Sequence, residues 1–209
     1  LILVLGLAWL DWAEWGPKLS ILIECFLISF LVIFSAEIKR ILCRLDLRPR
    51  WRVQFSEEER DLQHDLCREL ANAADSLSKK REGALMVIEQ RADLGEFLSG
   101  GVEINAQVKS SLIHAIFCHN GNDFHDGAVV IRQGEIWQAK AFLPMPHSIK
   151  LSQKYGTRHL AAVGITDQTD ALVIVVSEER GTISLVYAGQ ITELSDRYAL
   201  EKALQDHLL

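Results

Sequence analysis

Hydrophobic residues in the middle of the chain follow a helical period. Apolar side chains recur every three or four positions, at Leu62, Leu66, Leu70, Ala73 and Leu77. Ser56 and Glu59, just before them, form the pattern of a capping box, in which Ser accepts a backbone N–H and Glu returns to the Ser N–H. This pattern predicts an amphipathic helix that ends near Lys80.

Short apolar runs predict strands over residues 83–89, 126–131, 135–143, 171–177 and 182–187. Gln133-Gly134 separates two of these runs and predicts a hairpin. Further helices are expected over residues 106–117 after an Asn105 cap, over 157–165, and from a Ser195 cap through Leu208. Residues 94–102 contain three glycines and are expected to form a loop. The mixture predicts an α/β or α+β fold with a central β-sheet flanked by helices.

The first 38 residues have the composition of membrane-spanning segments. Residues 19–36 are apolar apart from Glu24 and small Ser residues, and a helix of that length spans about 27 Å, close to the ~30 Å bilayer core. Trp12 and Trp15 precede this stretch, as is typical of a membrane interface. The chain starts with Leu, so we expect a longer protein in which a hydrophobic segment precedes it. The alternative is that residues 19–36 form a buried core helix.

A basic stretch follows directly. Between residues 39 and 52 there are six basic residues and one acidic residue. By the positive-inside rule, this bias places everything after Lys39 in the cytoplasm. We therefore expect membrane segments over residues 1–38, a basic juxtamembrane linker over 39–55, and a globular domain over 56–209.

The whole chain is mildly acidic, with a formal net charge of −6. This charge argues against a general nucleic-acid binder, which needs clustered Lys and Arg to neutralise phosphates. The four cysteines are scattered singly, without metal-ligand spacing, so we interpret them as reduced packing residues.

One candidate for chemistry is His125-Asp126-Gly127-Ala128, at the start of a predicted strand. A carboxylate beside glycine can approach a metal or a sugar hydroxyl without a neighbouring Cβ in the way. Asp126 is the candidate metal ligand, and His125 is a candidate second ligand. The alternative is a structural turn in which Asp126 bonds its own backbone.

The second candidate is Thr157-Arg158-His159, where a helix is predicted to begin. The first N–H groups of a helix lack internal acceptors and point at an anion. Arg158 adds a charged fork suited to phosphate oxygens. The alternative is a Thr-capped helix with surface Arg and His. Together the two candidates pair a cation-binding carboxylate with an anion-binding helix terminus, as a nucleoside triphosphate with its metal requires.

These two motifs, "DGA" and "GTRH-AA", have "AFLP" between them and "TDALVIVVSEE" after them. In this order and spacing, they resemble the diadenylate cyclase domain, and the chain from about Phe30 to about Leu194 looks like its membrane-anchored form. The resemblance implies a mixed central β-sheet flanked by helices and preceded by transmembrane helices. It also implies condensation of two ATP into cyclic di-AMP with Mg or Mn, in a head-to-head homodimer. The resemblance also implies anchoring in a bacterial-type plasma membrane, with a regulatory partner at the membrane segments as a further expectation.

The resemblance also assigns site residues. It makes Asp126, Gly127 and Ala128 catalytic, and it gives ATP binding to Thr157, Arg158, His159, Ser177, Glu178, Phe142 and Leu143. The family usually has a second Arg directly after the His, where this chain has Leu160. A catalytically weakened nucleotide-binding module is therefore the alternative function. A purely structural domain is a weaker alternative, because a scaffold does not need these polar motifs.

Overall fold

A seven-stranded β-sheet forms the centre of the larger of the two units into which the chain divides, Leu1–Leu42 and Cys43–Leu209. The computed structural model describes residues 19–35, 57–119, 123–146 and 155–209. Ser56 of the capping box and the basic stretch 39–55 lie outside the described residues.

In the smaller unit, residues 19–33 are helical and their large apolar side chains are exposed. Phe30 contacts Phe34, with ring centroids 4.4 Å apart. Within the described ranges, no helix combines the length and the apolar character needed to cross a membrane. The membrane span expected over residues 19–36 stays a prediction.

The larger unit contains four α-helices among its described residues. They are α1 (Glu57–Lys80), α2 (Ser110–Phe117), α3 (Thr157–Thr166) and α4 (Arg197–Leu208). The strands are β1 (Ala84–Ile88), β2 (Ser99–Gln107), β3 (Ala128–Arg132), β4 (Glu135–Phe142), β5 (Leu172–Val176), β6 (Ile183–Tyr187) and β7 (Gln190–Leu194).

The strands lie in the order β2-β4-β3-β1-β5-β6-β7. β1 runs parallel to β3 and antiparallel to β5, and every other neighbouring pair is antiparallel. The sheet is therefore mixed, as expected. β1 and β5 lie at its centre and are buried along their whole length, which explains their continuous apolar sequences.

Helices cover both faces of this sheet. Alternate residues of β1 point to opposite faces, so that Met86 packs in one apolar cluster and Leu85 in the other. The first cluster contains the buried faces of α1, α2 and α4, and the second contains that of α3. The side chain of Arg197 on α4 donates a 2.5 Å hydrogen bond to Asn72 on α1.

Most predicted elements are confirmed. The predicted hairpin is β3–β4, and Gln133 and Gly134 have φ of 52° and 82°, as a two-residue hairpin turn requires. α1 ends at Lys80, and α3 begins at Thr157.

The prediction was wrong between β1 and α2. Residues 99–107 form the edge strand β2, where a loop and the start of a helix were expected. Asn105 caps no helix; it has φ of 48° where the register of β2 and β4 shifts. Helix α2 begins only after Lys109.

The other differences lie at the C-terminal end. A further strand, β7, follows the turn at Ala188-Gly189. The cap of α4 is Asp196 rather than Ser195, and its carboxylate accepts the Ala199 N–H at 2.8 Å.

Candidate functional site

The two predicted motifs meet at one cavity of about 320 Å³. It lies between the start of β3, the bulged part of β4 and the first turn of α3. Its lining side chains come from segments up to about 60 residues apart: His119, Asp123, His125, Asp126, Lys140, Arg158 and Glu178. The fold thus brings the carboxylate motif to the helix terminus, as the sequence predicted.

Asp126 is positioned by a short 3₁₀ turn, Asp123–His125, and by Gly127. Gly127 has φ of 128°, which favours glycine. A Cβ there would lie 2.8 Å from the carbonyl carbon and 2.9 Å from the Cα of Lys140. The glycine therefore permits β4 to pass directly beside the Asp126 turn, and the buried Ala128 then starts β3.

The first turn of α3 borders both cavities. Gly156 is its N-cap and makes no side-chain cap hydrogen bond. The first intrahelical bonds run from the N–H groups of His159 and Leu160 to the Gly156 carbonyl. The N–H groups of Thr157 and Arg158 precede these bonds, so they face outward with the positive end of the helix dipole.

Arg158 and Glu178 form an ion pair with Nη1 and Oε2 2.7 Å apart. The pair packs against Gly83, the residue before β1. A Cβ on Gly83 would overlap Arg158 Nη1 and would lie 2.8 Å from Glu178 Oε2. The absence of a side chain at Gly83 therefore gives the ion pair its space.

A second, smaller cavity of about 40 Å³ adjoins the first and shares Arg158 and Glu178 with it. Thr157, His159 and Ser177 also line it. Ser177 Oγ accepts the Arg180 N–H at 3.3 Å, which folds the turn after β5 back towards α3.

His159 lies deep in this second cavity. It is 3% exposed, its ring lies 5.2 Å from that of Tyr155, and its buried Nε2 has no hydrogen-bond partner among the described residues. Burial lowers the pKa of His159, nearby Arg180 lowers it further, and Glu193 opposes both. A buried ring nitrogen without a partner is suited to a ligand, such as a phosphate oxygen.

Asp126 and His125 are the donors expected to hold a metal ion. Within the described ranges, no group of three His, Cys, Asp or Glu side chains has metal-binding geometry. Mg²⁺ in nucleotide enzymes is usually held by one or two carboxylates together with substrate phosphates. One carboxylate, Asp126, with His125 on the same turn, therefore fits a cation whose remaining ligands come from a bound phosphate.

The structure brings together most of the predicted site residues. His125, Asp126, Arg158 and Glu178 line the larger cavity, and Thr157, His159 and Ser177 line the smaller.

Phe142 and Leu143 line neither of these cavities. Phe142 is 46% exposed at the end of β4, and Leu143 packs against the apolar cluster under α3. Leu160 is half-buried and lines neither cavity.

The residues that the sequence analysis missed include His119, Asp123, Lys140 and Gly83. His119 is exposed and was not among the predicted site residues, but it lines the larger cavity, with its ring 4.5 Å from that of His125. Lys140 lies in a predicted strand, and its charge between Ala139 and Ala141 was its only signal in the sequence. Gly83 had one signal in the sequence, its position directly before a buried strand, because a glycine there can mark the close approach of another segment.

Comparisons with known proteins agree with this geometry. The family model described as DisA bacterial checkpoint controller nucleotide-binding (DAC) matches residues 71–191. The chain is 34% identical to cyclic di-AMP synthase CdaA from Bacillus subtilis over 206 residues, which is 96% of this chain and 71% of that protein.

The chain belongs to the diadenylate cyclase family. It is 35% identical to a diadenylate cyclase from Listeria monocytogenes, covering 87% of this chain and 66% of that protein. A double cysteine mutant of DacA from Staphylococcus aureus has a similar structure, with a TM-score of 0.65 and 33% identity, covering 73% of this chain and 98% of that one. A crystal structure described as that of a hypothetical membrane spanning protein from Bacillus cereus gives a TM-score of 0.58 and 36% identity, covering 61% of this chain and 62% of that one.

Proposed function

We propose that this diadenylate cyclase domain condenses two ATP molecules into cyclic di-AMP and releases two pyrophosphates. The observation that carries the proposal is the meeting of Asp126, the first turn of α3 and the Arg158–Glu178 pair around two adjoining cavities. A nucleoside triphosphate needs both sides of this arrangement, because its phosphates require cations and N–H donors while its reacting hydroxyl requires a carboxylate nearby.

The reaction forms one bond and breaks one bond in each of two steps. The 3′-oxygen of one ATP attacks the α-phosphorus of the other, the hydroxyl proton leaves, and the bond to pyrophosphate breaks. In the second step, the 3′-oxygen of the other nucleotide attacks the remaining α-phosphorus, the second pyrophosphate leaves, and the ring closes. In this proposal Asp126 orients the 3′-hydroxyl, and Gly127 lets β4 pass beside the Asp126 turn.

The phosphates would lie against α3. In this proposal, the N–H groups of Thr157 and Arg158 and the Thr157 hydroxyl donate to phosphate oxygens. His159 Nε2, buried without a partner, and Ser177 Oγ are further contacts in the smaller cavity. Arg158 would exchange part of its pairing with Glu178 for a phosphate, which is a stronger acceptor for its fork.

Mg²⁺ or Mn²⁺ would be held by Asp126, with His125 as a second ligand. The ion would neutralise phosphate charge and lower the pKa of the 3′-hydroxyl. Phe142 and Leu143, next to the site at the end of β4, are proposed from the family resemblance to hold the adenine.

A head-to-head homodimer is the proposed active form, because each described protomer offers one site and the reaction joins two nucleotides. The rate per protomer should then fall when the protein is diluted below its dimerisation constant. A rate per protomer that stays constant on dilution into the monomer would contradict this proposal.

Anchoring in a bacterial plasma membrane, with the catalytic domain cytoplasmic, is also proposed. Its supports are the exposed apolar helix over residues 19–33 and the basic stretch after it. A regulatory partner at this segment is a further part of the proposal.

A nucleotide-binding module without turnover is the second candidate, favoured by Leu160 in place of the family's Arg. The experiment that separates the two incubates the full 209-residue chain, kept in mild detergent, with ATP and Mg²⁺ or Mn²⁺ and analyses the nucleotides by chromatography. Cyclic di-AMP with two pyrophosphates supports the cyclase. ATP that stays bound and unconverted contradicts it.

A further inference from the structure

Lys140 is a cation in the larger cavity that no motif predicts. It lines the cavity together with Asp126, Arg158 and Glu178. Its side chain is half-buried and makes no ion pair or hydrogen bond with any described residue. Arg158, the other permanent cation of this cavity, is already paired with Glu178 at 2.7 Å.

The backbone at Lys140 is unusual in a way that directs its side chain. Ala128 pairs with Ala141 and Val130 pairs with Gln138, so β4 has one more residue than β3 between these pairs. Lys140 lies in this bulge with φ of 59°, a conformation that favours glycine. Bulges beside active sites often redirect a side chain, and strain of this kind is commonly found at functional positions.

The charge of the cavity makes Lys140 significant for a nucleotide. Three carboxylates line it, those of Asp123, Asp126 and Glu178, against two permanent cations. An incoming triphosphate adds further negative charge. Lysine is a good point-charge ligand for phosphate and reaches it through a flexible stem.

We propose that Lys140 binds the phosphates of ATP from β4, opposite the Arg158 of α3 that is already paired with Glu178. This inference rests on the proposed function, because it assumes that ATP occupies the cavity beside Asp126. In this inference, the bulge in β4 directs the ammonium group of Lys140 towards the nucleotide.

The first test measures binding and does not depend on turnover. The full chain and its Lys140→Met and Lys140→Arg variants are titrated with a non-hydrolysable ATP analogue and with adenosine, by calorimetry. Lys140→Met should weaken binding of the analogue about 10-fold, the size of one lost charge-assisted hydrogen bond, and leave adenosine binding unchanged. Lys140→Arg should retain most of the affinity. Lys202→Met, at an exposed position on α4, is the matched control and should bind like the parent.

The second test separates a role for the side chain from a role in the fold. Lys140→Gly removes the ammonium group and also relieves the positive φ, so its Tm should be no lower than that of Lys140→Met. Its affinity for the ATP analogue should nevertheless fall as far as that of Lys140→Met. A structural role for Lys140 predicts the opposite result, in which glycine binds the analogue as well as the parent does.

Two results would overturn the inference. One is binding of the ATP analogue by Lys140→Met within about twofold of the parent, which is less than one hydrogen bond contributes. The other is an equal loss of adenosine and analogue affinity, which would place Lys140 away from the phosphates. Failure of the proposed function has a different signature, since the unmodified chain would then form no cyclic di-AMP.

Discussion

The guanidinium of Arg158 and the carboxylate of Glu178 lie 2.7 Å apart and pack directly against Gly83. The ion pair joins the first turn of α3 to the end of β5, and it separates the cavity of Asp126 from that of Ser177. A Cβ added at Gly83 would have to displace the side chain of Arg158 or of Glu178. The geometry of the Arg158–Glu178 pair therefore depends on a residue with no side chain.

Replacing Gly83 with Ala should lower activity more than stability. The new Cβ would overlap the flexible ends of Arg158 and Glu178, which can move, so Tm should change little. Displacement of Arg158 by about 1 Å should lower kcat/KM by about 10- to 100-fold. Steady-state kinetics and thermal unfolding measure the two effects. Gly95→Ala, which meets only the Asp93 side chain, is the matched control, and equal kinetics for both variants would contradict the prediction.

Stability should fall in mild acid because of His159. Its folded-state pKa is lowered by burial, while the unfolded pKa is about 6.5, so below that pH the unfolded chain binds more protons. The contribution of His159 to the free energy of unfolding is fully present above about pH 6.5 and is lost as the pH falls towards the folded-state pKa. Denaturant unfolding at pH 7.5 and 5.5 should show a smaller loss for His159→Gln than for the parent. An identical loss in both proteins would exclude His159 as a cause.

Divalent cations should bind tightly only together with nucleotide. Asp126 and His125 provide too few ligands for a protein-only site, and within the described ranges no three-ligand group is present. Mn²⁺ titration followed by electron paramagnetic resonance should show weak binding to the chain alone and tighter binding with a non-hydrolysable ATP analogue. Asp126→Asn should remove most of this increase. Equally tight Mn²⁺ binding without nucleotide would contradict the prediction.

Gly164→Ala should destabilise the domain. A Cβ on this buried glycine of α3 would overlap the carbonyl oxygen of Pro144 and lie 3.0 Å from its carbonyl carbon. Overpacking costs about 1–3 kcal/mol, which should exceed the gain in helix propensity of up to ~1 kcal/mol. Equilibrium denaturation measures the change in the free energy of unfolding. A variant at least as stable as the parent would show that the segment at Pro144 moves freely.

Elements with strong local signals could be predicted from the sequence. The leucines of α1 at helical spacing and the Gln133-Gly134 turn identify their elements without tertiary information. β2 was missed because it is an exposed edge strand with two glycines and little apolar alternation. Asn105 looked like a cap, yet its positive φ belongs to a bulge.

The site residues also divide into those with a local signal in the sequence and those without one. Asp126 and Arg158 could be proposed from their motifs, and the family resemblance connected them to Glu178. Lys140 and Gly83 could not be predicted, because their roles come from close approaches between segments distant in sequence. Such approaches depend on the packing of β4 against the Asp126 turn and of the ion pair against β1, which no local pattern specifies.

The most direct test of the account compares product formation by the full chain, by Asp126→Asn and by Asp206→Asn, an exposed carboxylate on α4. ATP and Mn²⁺ are supplied, and cyclic di-AMP is quantified by chromatography. The account predicts product from the parent and from Asp206→Asn, and a loss of at least about 100-fold for Asp126→Asn. Cyclic di-AMP formed by Asp126→Asn at the parent rate would contradict it.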